Sequence, residues 1–159
     1  MKARSFFGVV LISAALLAMS AWADDGQVHD ARARADYMIH CQGCHVGDGS
    51  GFDGRVPDLR HSLPLLLSVE GGRAFLVQVP GSSQANLSNL RLADTLTWMV
   101  RQFAGAESNL AFAPFTEAEI DTWRPQRLDD VVATRHALIG HLELPDSREE
   151  ETAIGRTSE

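Results

Sequence analysis

Cysteine is scarce: the 159-residue chain holds two, Cys41 and Cys44, three positions apart. Once this pair is used together, nothing is left for a disulfide framework or a four-ligand zinc site. Lysine is scarcer still, with Lys2 alone near the start, so that beyond the first residues arginine is the only strong base. Acidic residues number 21 against 14 basic ones, a formal net charge of −7. With no basic stripe, nucleic acid is excluded as an expected partner. The acidity suits either a partner with a positive docking patch or simple solubility. No internal repeat is visible, and the length suits one small domain with an extension.

Long apolar runs are also lacking, except at the N-terminus. Lys2 and Arg4 precede an apolar stretch from Phe6 to Met19, followed by Ala21-Trp22-Ala23. This is the pattern of a secretory signal peptide, residues 1–23, with an A-x-A-like cleavage site after Ala23. The stretch is short for a membrane span and has no stop-transfer cluster after it. Export to the periplasm is therefore expected, and membrane association would require the leader to be retained.

What is present is Cys41-Gln42-Gly43-Cys44-His45. A C-x-x-C-H run is the attachment site of a covalent c-type haem, in which two thiols add to the two vinyl groups and the neighbouring imidazole becomes the proximal iron ligand. The competing reading, a thioredoxin-like redox pair, would call for a preceding strand and a depressed thiol pKa. Export agrees with haem attachment, which takes place outside the cytoplasm in bacteria. One haem c is the expected cofactor.

Residues 30–40 are rich in good helix formers, with Asp30 placed to cap the start, and this helix delivers the cysteines. Ala33 and Tyr37 share one face by their four-residue spacing. On these residues, together with the C-x-x-C-H run, the chain resembles the class I c-type cytochromes. The resemblance spans about residues 30–104 and implies an all-α cytochrome c fold around one covalent haem. It implies that Ala33 and Tyr37 cross the last helix of the haem domain at Trp98. It further implies that Pro57 and Leu59 are the family's P-x-L segment: the Pro57 carbonyl accepts a hydrogen bond from His45, and Leu59 packs on the haem. Such a bond would set the tautomer of His45 and raise its basicity. Between them, the glycine-rich residues 46–54 form a loop that turns close against the haem edge.

Short helices are expected over Leu63 to Val69 and Gly72 to Gln78, the second ended by Val79-Pro80-Gly81. Arg73 is a candidate partner for a haem propionate, as guanidinium pairs bidentately with carboxylate, or is simply solvated. Residues 80–88 occupy the place where the family usually carries the methionine that closes the sixth coordination position, and none is there. Ser88 caps the next helix, along which Leu92, Thr95, Leu96 and Met99 recur at helical spacing. The sixth ligand is then Met99, no strong protein ligand, or a histidine from His61, His136 or His141. Met99 is otherwise a core methionine on the porphyrin. Met38 and His40 lie on the delivering helix, poorly placed to cross the haem plane.

Beyond the haem domain, residues 24–105, the pattern changes. Thr116-Glu117-Ala118-Glu119 is a capping box, starting a helix that runs to about Arg124 before Pro125. A second helix starts at Asp129 or Asp130, with Val131, Val132, Arg135, Leu138, Ile139 and Leu142 on one face. Residues 106–144 thus form an expected helical hairpin, its stripe covering the haem domain or docking on a partner. Residues 145–159 are polar and unpatterned, the composition of a disordered tail. The expected function is single-electron transfer between redox proteins, with a periplasmic dehydrogenase as donor or a terminal oxidase as acceptor. No acid-base or metal constellation argues for catalysis, so the chain is expected not to be an enzyme. Two alternatives stay open: a binder or sensor of nitric oxide, carbon monoxide or peroxide at an open iron, and a haem subunit fixed to a larger oxidoreductase.

Overall fold

The computed structural model describes residues 27–105 and 112–143, so the expected leader, residues 1–23, and the expected disordered tail, residues 145–159, lie outside the described residues. These residues form eight helices and no strand, apart from an isolated bridge between Phe52 and Val56. Helix α1 covers residues 27–40 and therefore begins before Asp30, which lies inside it instead of capping it. A single turn, α2 (Gln42–His45), follows Cys41. Helix α3 (Leu59–Leu67) starts four residues before the expected Leu63, because Asp58 caps it by accepting a hydrogen bond from the Arg60 amide at 2.8 Å. Helices α4 (Gly72–Gln78) and α5 (Pro80–Ser83) follow almost without a break. Helix α6 (Asn89–Phe103) is capped by Ser88, whose hydroxyl accepts from the Arg91 amide.

The apolar core is built where α1 meets α6. Ala33 and Tyr37 are 2 % and 1 % exposed, the small residue and the aromatic one turn on sharing the buried face of α1. The Tyr37 ring lies 5.4 Å from Trp98 and 5.1 Å from Phe103, with Trp98 and Phe103 edge to face at 5.7 Å. Beside them Asp36 is buried and paired with Arg91 of α6, whose Nε donates to Oδ2 at 3.0 Å. A carboxylate in that position without its cation would carry a heavy desolvation cost. Between α3 and α4 the backbones approach so closely that a Cβ at Gly72 would overlap the Leu66 carbonyl.

The extension supplies α7 (Glu117–Trp123), opened by a complete capping box between Thr116 and Glu119, and α8 (Val131–Glu143), where Asp130 accepts from the Ala133 amide at 2.9 Å. In the extension, α7 packs on α6 and α4, and α8 packs on α3 and α4. Each helix rests on α4 and on one further helix of residues 27–105. Phe115, Ile120 and Ile139 are buried in the same cluster as Leu63, Phe75 and Leu96. The apolar stripe of α8 is narrower than its sequence suggests, with Val132 78 % exposed and Leu142 also facing solvent. Among the described residues no helix is long and apolar enough to cross a membrane.

Candidate functional site

The C-x-x-C-H run is folded by its own backbone. The Cys41 carbonyl accepts from the amides of Cys44 and His45 at 3.1 and 3.0 Å, while the Cys41 amide donates to the Tyr37 carbonyl at 2.8 Å, carrying α1 into the turn. Both thiols are free, Cys41 half-buried and Cys44 exposed. The chain leaves the turn at Val46 with φ 55° and ψ 175°, a region almost confined to glycine. The Tyr37 hydroxyl, from the core crossing, donates to the Val46 carbonyl and holds that exit in place. Further on, Gly51 has φ 69° and a Cβ there would collide with the Val56 and Pro57 carbonyls, so the loop returns to Pro57 only because this residue is glycine.

That return sets the imidazole. His45 Nδ1 donates to the Pro57 carbonyl at 3.2 Å, which leaves Nε2 as the ring nitrogen available to a metal. Burial pushes the His45 pKa below its usual value, opposed by the bond to Pro57, so the ring is neutral at neutral pH, as a ligand must be. Burial also raises the Cys41 thiol to about 11, helped by the neighbouring Asp36 and Cys44, and raises Tyr37 to about 12. Cys41 therefore lacks the depressed thiol pKa of a thioredoxin-like site, and the pair follows a helix, not a strand.

Cys41, Cys44 and His45 sit on the wall of a cleft of about 340 Å³. Leu59, Leu63, Leu66, Phe75, Leu96 and Met99 supply much of the remaining wall. Two thiols and a neutral imidazole converging on an apolar cleft suit a large, flat, mostly apolar ring that carries a metal, and the residues present fit a covalent haem on that ground. Cys41, Cys44 and His45 would hold it.

The remaining residues singled out in the sequence divide. Pro57, Leu59 and Met99 line the cleft, Leu59 and Met99 being buried. Trp98 does not line it and belongs to the α1/α6 crossing. Arg73 is corrected: its guanidinium is engaged by Glu119 through Nε and Nη2, both at 2.9 Å, and by the carbonyls of Ala113 and Pro114, with Phe115 beneath it at 4.1 Å. The capping-box glutamate of α7 takes the place given to a propionate. Burial raises the Glu119 pKa, but hydrogen bonds from Arg73 and Thr116 outweigh it and hold the carboxyl below its usual value. His61, His136, His141 and Met38 are exposed and outside the cleft, whereas His40 lies on its wall.

Two residues escape the sequence reading as site residues. Arg135 of α8 lines the cleft, and its Nη2 donates to Ser62 Oγ at 3.2 Å. The signal was visible as a charged residue inside the apolar stripe of α8. Arg124 grips the loop that lacks a methionine: Nε donates to the Ser83 carbonyl at 3.0 Å, Nη1 to the Leu87 carbonyl and to Asn89 Oδ1, both at 2.8 Å, and Nη2 to the Ala85 carbonyl. Backbone acceptors have no sequence signature, so nothing announces this contact.

No protein-family model matches the chain. It is similar to cytochrome c-552 of Thermus thermophilus, with 30% identity over 124 residues, which cover 65% of this chain and 95% of that protein. Against a second cytochrome c-552 from the same organism the identity is 30% over 131 residues, covering 68% of this chain and 88% of the relative.

Proposed function

This chain belongs to the c-type cytochromes, and on that premise we propose that it is an exported mono-haem electron carrier of the class I kind, working in the periplasm. The observation that carries the reading is the convergence of Cys41, Cys44 and His45 on one apolar cleft, with His45 held to the Pro57 carbonyl. A haem bound there supplies one-electron redox chemistry. The chain's part is to hold that group rigidly, exclude water with Leu59, Leu63, Leu66 and Phe75, and fix the imidazole tautomer through Pro57. Cys44 is exposed, so a group bonded to it reaches the surface at one edge, where electrons can pass without the fold opening.

For the sixth position we assign Met99. Beyond the leader, the nitrogen and sulfur donors outside the motif are His29, His40, His61, His136, His141, Met38 and Met99. Of these only His40 and Met99 line the cleft. His40 is the residue immediately before Cys41, on the segment that delivers the proximal side, which leaves Met99 of α6. A thioether is a ligand that raises haem potential, in keeping with a carrier that accepts electrons from a periplasmic dehydrogenase. Exposed Met38, Ile39, Val46 and Phe52 flank the motif in the chain and offer apolar contacts to such a partner. We take residues 24–105 as the haem domain and residues 106–144 as an extension that completes its core.

The test is the alkaline pyridine spectrum of the exported protein together with a potentiometric titration. The reading predicts one thioether-linked haem per chain and a single one-electron transition. Absence of covalent haem, or two transitions, would overturn it.

A further inference from the structure

Haem carries two propionate carboxylates, and a cleft that takes it must meet their charge. None of the residues lining the cleft is aspartate or glutamate; its guanidinium side chains are Arg55 and Arg135, and the imidazoles of His40 and His45 also line it. Arg55 is exposed on the loop, and Arg73 is held away by Glu119. Arg135 differs from both. It stands one turn beyond Val131 on α8, both residues line the cleft, and Nη2 is anchored on the hydroxyl of Ser62, which is 5 % exposed and lines the same wall. A guanidinium presents five N–H groups in a flat fork, enough to keep Ser62 and grip a carboxylate together.

We propose that Arg135, brought to the cleft by the C-terminal extension and oriented by Ser62, binds a haem propionate and so makes the extension part of the cofactor site. This rests on the haem reading above. A cation fixed beside the propionate keeps that carboxylate ionised and, by its own charge, favours the reduced iron over the oxidised one. Arg135 is then a residue that sets the potential, and α8 is a wall of the site.

The experiment compares the exported wild-type protein with R135Q and R135K, reading covalent haem content, midpoint potential from acid to alkaline pH, and the resonance Raman bending mode of the propionates. With haem content unchanged, R135Q is expected to show a lower potential at neutral and alkaline pH and an added pH dependence near neutrality relative to wild type. The sign follows because a propionate freed of its cation binds a proton more readily, and losing that proton again favours oxidised iron. His40 and Arg55, which also line the cleft, are unaltered in both proteins, so their contribution cancels in the difference. R135K keeps the charge and should keep most of the potential, while its single ammonium changes the propionate bending mode. If R135Q does not accumulate, the R135K Raman spectrum decides. Covalent haem with an unshifted potential and an unchanged bending mode in the variants would overturn this assignment alone; a wild type without covalent haem would overturn the electron-carrier reading and this assignment with it.

Discussion

Residues 27–105 close on themselves through apolar and aromatic side chains: Tyr37 against Trp98 and Phe103, with Leu63, Val77 and Leu92 almost wholly buried. Residues 112–143 join them in a different manner. A few apolar anchors, Phe115, Ile120 and Ile139, enter the same core, and three guanidinium groups cross the boundary, Arg73 to Glu119, Arg124 to the loop carbonyls and Arg135 to Ser62. The first part shows how burial of apolar area makes a fold; the second shows how directional hydrogen bonds fix where an added segment must sit.

The sharpest way to break this comparison is to remove the second part. Truncation after Gly105 strips Phe115, Ile120 and Ile139 from the core, and each buried side chain of that size is worth about 1.5–3 kcal/mol. The expected loss is at least about 4 kcal/mol in guanidinium unfolding followed at the haem. A truncated domain as stable as the whole protein would show that the extension is a docking element and not core. Next in size is Arg124→Ala, which takes the guanidinium donor from the carbonyls of Ser83 and Leu87 and leaves that of Ala85 with the Leu87 amide alone. A loss of about 3 kcal/mol by the same titration is expected, and a loss under about 0.5 kcal/mol would mean that the loop holds itself.

Glu119→Gln is milder, about 1–2 kcal/mol, as it weakens a partly buried charged pair and the capping box together. It also carries a pH signature. The folded-state pKa of Glu119 lies below its unfolded value of 4.5, so its contribution is present above that value and is lost as pH falls through the folded pKa. Melting temperatures of wild type and variant should converge in acid; a gap that persists there would assign the loss to packing. Smallest is Val132→Ser, expected to change stability by less than about 0.5 kcal/mol because the side chain is 78 % exposed. A larger loss would restore the broad apolar stripe read from the sequence.

The same contrast governs how far the sequence could be read. The motif, the Ser88 cap and the Thr116/Glu119 box are local and the shared face of Ala33 and Tyr37 follows a spacing, so these are legible in the sequence alone, whereas the crossing with Trp98 comes only from the resemblance to class I c-type cytochromes. Phe103, the third ring of the crossing, and the Asp36–Arg91 pair span long stretches of chain and carry no spacing rule. Arg73 went to the wrong partner for the same reason, since Glu119 lies 46 residues away and its reach depends on where α7 lands. Arg135 stood in plain view as a charge in an apolar stripe, but only the packing of α8 on α3 gives that charge its cleft. How α7 and α8 pack is not legible, because each sets its apolar anchors against α3, α4 or α6, a matter of tertiary placement that spacing along the chain does not give.

The central claim is that Met99 closes the iron and makes this protein an electron carrier, not a binder of small ligands. The measurement is the visible spectrum of the exported protein, ferric and reduced, with and without carbon monoxide, beside that of Met99→Ala. The account predicts a low-spin wild type with a weak long-wavelength sulfur-to-iron band, no carbon monoxide binding, and loss of that band with gain of binding in the variant. A wild-type spectrum that is high-spin and shifts at once with carbon monoxide would contradict it.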